Sequence, residues 1–461
     1  MTSRIFRTGR GLVAALAVVA MTAGAAAADS LRQAMADAYR NSQLLEQNRY
    51  LLRLSDEGVT QAVAQLYPTL TFIAGTNRDL INDTTTSTAR LVAEMVIYAG
   101  GGRTSARRGA EETVNAARQQ LVALEAQVLL DAVTAYLEVW EAQQVVSVRE
   151  ANVRVLTQQL RAARDRFEVG EDTRTDVAQA EAQLATARSN LAAAQGTLEI
   201  AREIFNLAVG RYPNGLTGPG GLPNLPRSEA EAGQLSRQQH PAVLALQHEV
   251  AAAEFAVQEA RAATRPNITL DFTATDTFQA TNPFLEGESA SVGLTLTQPI
   301  YRGGQLASIE RQALAQVEAV RAALNRQTQL NLQAVGTAFA RFQIATAQIQ
   351  ASDQRIRAAE LAFEGVREEA ALGARTTLDV LDAEQDLLEA RISRIEAEAD
   401  LYASAYGILS AAGLLTVGRL DLPVPEYDVE AYGAAFPGGV PRVLSPQGER
   451  LDSLLRSIGR D

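Results

Sequence analysis

Residues 170–181 read GEDTRTDVAQAE, and residues 373–384 read GARTTLDVLDAE. The two phrases lie 203 positions apart, and the match runs far beyond them. Gly170 meets Gly373, Thr173 meets Thr376, Asp176 meets Asp379, Val177 meets Val380, and Ala180–Glu181 meets Ala383–Glu384. Leu184, Arg188 and Gly210 meet Leu387, Arg391 and Gly413 at the same spacing. Upstream, Tyr98, Gly100 and Gly101 meet Tyr301, Gly303 and Gly304. Pro68 meets Pro266 at a spacing of 198, so a five-residue insertion lies between these points, in a loop joining two strand-like runs. The chain is an internal duplication, and any fold for it must be built from two copies of one unit.

Each copy runs helix, strand, strand, very long helix, tight break, long helix. No proline falls between Pro68 and Pro213, or between Pro299 and Pro423. From Leu121 an apolar stripe steps by threes and fours through Leu124, Val128, Ala132, Ala135, Val139, Ala142 and Val146. The helix from Thr104 to Val169 is roughly 100 Å long at 1.5 Å per residue, too long for a compact globule and suited to a coiled coil or helical tube. The strand-like runs have period two. Ile268, Leu270, Phe272 and Ala274 alternate with Thr269, Asp271 and Thr273, and Val292, Leu294 and Leu296 alternate with Gly293 and Thr295. The first copy repeats this with Leu70, Phe72 and Ala74, and with Leu91, Ala93, Met95 and Ile97 against Glu94. One face is apolar and the other hydroxyl-rich, as in an outer-membrane barrel; the edge hairpin of a soluble sheet is the plainer alternative. The segments NRDLINDTTTST and TFQATNPFLEGES are expected as exposed loops. Four strands close no barrel, so the barrel must be shared among protomers; spacing alone permits a dimer, trimer or tetramer.

The N-terminus reads as an address. Arg4, Arg7 and Arg10 precede the apolar GLVAALAVVAM, and small residues follow with cleavage expected after Ala28, which makes residues 1–28 a secretory signal peptide. No other stretch reaches the ~18 consecutive apolar residues of a membrane helix. Net charge is −12, which argues against nucleic acid as a partner. There is no cysteine, which excludes disulfides, thiolate metal sites and lipidation at an N-terminal cysteine. There is no lysine either, so neither Schiff-base chemistry nor a Walker-type phosphate loop has its residue. His240 and His248, eight apart, are read as surface histidines on one helix rather than a metal pair, since no third ligand type clusters beside them. No metal or cofactor is expected. GxSxG is absent, which weighs against an exported hydrolase; a periplasmic coiled-coil adaptor or scaffold without a pore is the other alternative.

The duplication, QLYPTLTF and ATRPNITL ahead of the first strands, IYAGGG and QPIYRGG after the second, and the two glycine–aspartate breaks together resemble the TolC family of outer-membrane efflux and type I secretion channels. The resemblance spans essentially the whole mature chain. It implies a mainly α chain with a membrane β-barrel portion. Three copies would form a 12-stranded outer-membrane barrel continued by a periplasmic α-helical tunnel, working with a periplasmic membrane-fusion adaptor and an inner-membrane ABC or RND-type transporter in protein secretion or multidrug efflux. The missing cysteine points to the branch without a lipid anchor, shared by both tasks. The expected layout is a first repeat at 29–210, with strands about 68–76 and 89–98 and long helices about 103–169 and 174–209. An equatorial linker at 211–239 follows. The second repeat is 240–415, with strands about 267–277 and 289–299 and helices about 304–372 and 377–413, and the C-terminal equatorial extension is 416–461.

Gly170 and Gly373 release the helix–helix turns, because glycine tolerates the left-handed conformation a reversal needs. Asp176, Asp379 and Asp382 follow near helix N-termini, where negative charge is favoured and capping is the plain explanation. Asp379 and Asp382, at i and i+3, share a face, and in a trimer would stack as two acidic rings. The resemblance makes these two the pore constriction, Arg375 the arginine that latches the entrance shut, and Asp176 its acidic partner on the neighbouring turn. The family's tyrosine three residues before the glycine is Ala370 here, so one closing link is absent or replaced and a weaker latch is expected.

Overall fold

A computed structural model gives the fold and describes residues 29–171, 173–278 and 286–434. The signal segment 1–28, part of the second strand loop (279–285) and the end of the C-terminal extension (435–461) lie outside the described residues. In chain order the elements are α1 (Leu31–Asn41), α2 (Gln43–Ala64), β1 (Thr69–Asp79), β2 (Thr84–Ala99), α3 (Gly102–Glu168) and α4 (Arg174–Val209). The second copy gives α5 (Glu229–Gln239), α6 (Pro241–Ala262), β3 (Asn267–Phe278), β4 (Gly287–Thr297), α7 (Gln305–Ala371) and α8 (Thr377–Ala411); the short α9 (Ala431–Ala434) follows.

The duplication is deeper than the sequence layout allowed. Helix α5 falls inside the stretch read as linker, yet it is the counterpart of α1: both have 11 residues and start 198 positions apart. Ser30 and Ser228, also 198 apart, are their N-caps, accepting from Gln33 N–H and Glu231 N–H. Ser42 caps α2 and His240 caps α6, which explains why each pair breaks there; Pro241 follows at the first helical position, where its missing N–H costs nothing. The linker proper is therefore 211–228.

The strands run longer than expected, because Thr84–Thr88 join β2 instead of a loop. Threonine is β-branched and favours extended backbone. The reversal is compact, with the Asp79 carboxylate accepting the Ile81 and Asn82 N–H groups. The five-residue insertion sits between β3 and β4.

The four strands form one antiparallel sheet, ordered β1-β2-β3-β4. Its register aligns like with like. Phe72, Leu91, Ala274 and Ala290 form one row across all four strands; Leu70, Ala93, Phe272 and Val292 form the next. The opposite face carries Thr71, Val92, Thr273 and Ser291, with Thr69, Glu94, Asp271 and Gly293 beside them. The apolar face is bare, with Phe72 69% and Val292 72% exposed. Among the described residues both outer strands, β1 and β4, have an unpaired edge.

The helices repeat this openness. Near the sheet they lie side by side as α2, α3, α6, α7, and further away as α4, α3, α8, α7. Helix α3 is central and heavily buried, while α7, equally long, presents Ile309, Leu330, Ile344 and Leu361 to solvent. The opposite margin exposes Leu44, Leu51 and Leu54 on α2 and Ile200, Ile204 and Leu207 on α4, spaced as a coiled-coil seam. The main core lies at mid-length, where Tyr136 and Phe205 are fully buried with ring centroids 6.5 Å apart. The C-terminal chain straps this level: Glu125 accepts the Val417 N–H at 2.6 Å, and Arg49 lies between the Tyr39 and Tyr427 rings.

Candidate pore entrance and its relatives

The α3–α4 and α7–α8 turns lie at the ends of the long helices farthest from the sheet. They are built alike. Gly170 (φ +82°) and Gly373 (φ +76°) sit in the left-handed region. Glu171 N–H reaches back to Arg166 O and Ala374 N–H to Glu369 O, both at 2.9 Å, so last-turn carbonyls are satisfied by the same motif twice. Each following helix opens with a reciprocal capping box. Asp176 Oδ2 accepts from Thr173 N–H at 2.9 Å and Asp379 Oδ2 from Thr376 N–H at 2.9 Å, while each threonine hydroxyl accepts the aspartate N–H in return. These bonds favour the ionised carboxylates. The Thr376 N–H and hydroxyl hold Asp379 below the usual carboxylate range, and the Thr173 hydroxyl and N–H do the same for Asp176.

Asp379 in the first turn of α8 and Asp382 one turn on share its outer face because Val380 and Leu381 take the other. Leu381 inserts among Leu156, Leu160, Ala163, Ala180 and Leu184, which nails the second hairpin to the first. Asp382 is exposed and has no polar partner among the described residues. Asp379 thus caps its helix, and Asp382 has no such local duty.

The expected Arg375–Asp176 latch is not formed within one protomer. Arg375 Nε donates to Glu369 Oε2 at 2.9 Å in its own turn, and Asp176 is committed to Thr173. Ala370 contributes its carbonyl to the Gly373 N–H. The two hairpins are linked instead by groups that sequence reasoning passed over. Arg166 Nη2 lies 3.5 Å from Thr377 Oγ1, and Asn152 Nδ2 donates to Glu384 Oε1 at 3.2 Å. Burial pushes Glu384 up, against the pull of Asn152 and Arg391. Only the match of Glu384 to Glu181 across the repeat marked it in the sequence.

The histidines are not a surface pair. His240 accepts the Ala242 N–H through Nδ1, and His248 Nδ1 lies 2.7 Å from Glu112 Oε2 on α3. Among the described residues no cluster of histidine and carboxylate ligands could hold a metal ion.

A profile of the outer membrane efflux protein family matches residues 34–217 and 232–414, one stretch for each copy. The chain belongs to that family. It is an outer-membrane channel, with its sheet for the membrane and its helices extending into the periplasm. The outer membrane efflux protein BepC of Brucella suis biovar 1 (strain 1330) is 34% identical over 440 residues, covering 94% of this chain and 96% of that protein. The proteases secretion protein PrtF of Dickeya chrysanthemi is 27% identical over 399 residues, 81% of this chain and 86% of its own. Among solved structures, CusC superposes with a TM-score of 0.77 at 19% identity, over 84% of this chain and 92% of that one.

Proposed function

We propose that three copies close a twelve-stranded barrel and one continuous tunnel. That duct is the exit passage for an inner-membrane ABC or RND-type transporter, joined to it by a periplasmic adaptor. The open sheet with its sorted faces carries this. In hydrocarbon each unpaired backbone group costs several kcal/mol, so β1 of one copy must pair with β4 of the next. The same rotation sets the exposed stripe of α7 against the bare margins of α2 and α4. Three is the count the family resemblance implies; the mass of the detergent-solubilised assembly distinguishes it from two or four. The chain supplies passage and carries no catalytic step.

In that ring Asp379 and Asp382 form the narrow acidic entrance, and Arg375 and Asp176 hold neighbouring turns together until the adaptor engages. Exposed Val169 and Leu372 at the turns are an apolar docking surface for it. Relatives named for efflux and for protease secretion support export of small molecules or proteins alike, because cargo is chosen upstream.

Planar-bilayer recording tests this with Asp379→Asn and Asp382→Asn together, since asparagine keeps the capping acceptor. Wild type should show a small, cation-selective conductance in 1 M KCl, and the double variant should lose that selectivity. Unchanged selectivity would return both aspartates to helix capping. Release from membranes without detergent would favour the poreless scaffold.

A further inference from the structure

The barrel lumen holds charge for which the entrance does not account. On the polar face of the sheet Glu94 stands directly opposite Asp271, and Asp271 directly opposite Gly293. Like charges facing one another across strands destabilise a sheet. Neither carboxylate has a polar partner among the described residues to offset this. The glycine makes room: a Cβ at Gly293 would collide with the Asp271 carboxylate. Four residues back along β2, on the same face, Arg90 stands opposite Ile73 and Thr275, also unpaired among the described residues. A local rule broken without local compensation marks a functional position.

We propose that Glu94, Asp271 and Arg90 form a second charge filter, inside the barrel and independent of the entrance, that favours small cations and cationic groups on cargo. It rests on the trimeric duct proposed above. There, six carboxylates ring the periplasmic mouth of the barrel, and three guanidinium groups ring a level about 13 Å nearer the exit along the strands. The net contribution is one negative charge per protomer.

The two filters obey different electrostatics. At the narrow entrance a passing ion stays close to the aspartates at any salt. The barrel is wide: twelve strands about 4.8 Å apart and tilted about 40° give a backbone diameter of about 24 Å. The Debye length is about 30 Å at 0.01 M salt, which fills that lumen, and about 3 Å at 1 M, which leaves its axis neutral. Barrel selectivity is therefore present in dilute salt and absent in concentrated salt.

The test uses the purified full-length channel in planar bilayers. Reversal potentials are read across KCl gradients centred near 0.01 M and near 1 M, with Asp379→Asn/Asp382→Asn as background to silence the entrance. A mean lumen potential of about one kT enriches cations over anions about sevenfold. Adding Glu94→Gln and Asp271→Asn leaves Arg90 alone, turns the net from −1 to +1 per protomer, and should lower the cation-to-anion permeability ratio by about the square of that factor, roughly fiftyfold, in dilute salt and leave it unchanged at 1 M. Arg90→Gln should raise it in dilute salt. These side chains face water, and heat-stable oligomers on gels confirm assembly. A dilute-salt ratio unmoved by the carboxylate pair, or lowered by Arg90→Gln, overturns the barrel filter. If wild type itself forms no channel, the duct fails and the filter with it.

Discussion

Replacing Arg211 with methionine should cost the fold about 3 kcal/mol, because that guanidinium bridges two buried carboxylates and is the sole cation paired with Asp29 among the described residues. Arg211 Nη1 donates to Asp29 Oδ2 at 2.6 Å and Nη2 to Asp29 Oδ1 at 3.0 Å; Nε and Nη2 reach Asp37 Oδ2 at 3.0 and 2.7 Å. The side chains of Asp29 and Asp37 are 9% and 11% exposed, that of Arg211 32%. Removing one partner of a fully buried ion pair costs about 3–5 kcal/mol. The lower end applies, since water reaches the fork, Asp29 keeps the Asn214 N–H, and Asp37 keeps Gln33 and its 3.3 Å ion pair with Arg40. Asp29→Asn alone should cost about 1.5 kcal/mol, as Arg211 retains Asp37. Combined with Arg211→Met it should add almost nothing, because the orphaned charge at Asp29 is then gone. Urea unfolding of the detergent-solubilised protein, followed by far-ultraviolet circular dichroism, measures the cycle. A loss below about 1 kcal/mol for Arg211→Met, or additivity within about 0.5 kcal/mol, would refute the coupling.

The pH dependence has a definite sign. Burial alone would raise Asp29, but the Arg211 hydrogen bonds, the Asn214 N–H and the Arg211 charge outweigh it and hold the carboxyl below its usual value. A depressed carboxyl contributes stability above its unfolded value of about 3.9 and loses it as pH falls through the folded one. The gap between wild type and Arg211→Met should be full near pH 7 and close on acidification. The variant regains stability as its buried carboxyls take up protons.

Gly210→Ala should destabilise by at least about 1–2 kcal/mol, since Gly210 has φ +83° and a Cβ would come within 2.6 Å of Asn41 Cβ; the same urea titration reads it. Glu141→Gln should stabilise the protein at pH 7. Burial, then the charges of Glu396, Asp400 and Glu138, hold Glu141 above the usual carboxylate range, so its ionised form weakens the fold. The advantage should be greatest above the folded value and vanish below the unfolded one; equal stability at pH 7 would show that water screens the cluster.

What the sequence disclosed was set by local chemistry. The breaks at Gly170 and Gly373 were legible because a left-handed glycine, a threonine cap and an aspartate three residues on form a motif within one short stretch. The sheet faces were legible because period two is a local signal. Helix α5 was hidden by the Pro- and Gly-rich stretch before it, although Ser228 repeats the cap at Ser30. The intrachain partner of Arg375 was not legible because carboxylates at Glu369, Asp176 and Asp379 all lie nearby in sequence or across the repeat, and only the turn geometry places Glu369 against it within one protomer. The Arg211–Asp29 pair, 182 residues apart, has no local signal at all.

Duplication alone would give six identical turns around the proposed ring, and identical charges side by side repel. The two copies depart from each other in charge around the turn. Across the 203-residue spacing Arg166 is matched by Glu369, and Asp172 by Arg375. The sign is reversed at both positions, so the two copies do not carry the same charge pattern around the turn. In the proposed ring, exposed ion pairs between neighbouring turns would be worth only about 0.2–1 kcal/mol each, weak enough for the proposed adaptor to break. A third departure, Gln179 against Asp382, places the unpaired carboxylate on every second turn only. In the proposed duct, repetition would build the tube, and divergence at these three positions would let its end be held shut by charge and lined with acid.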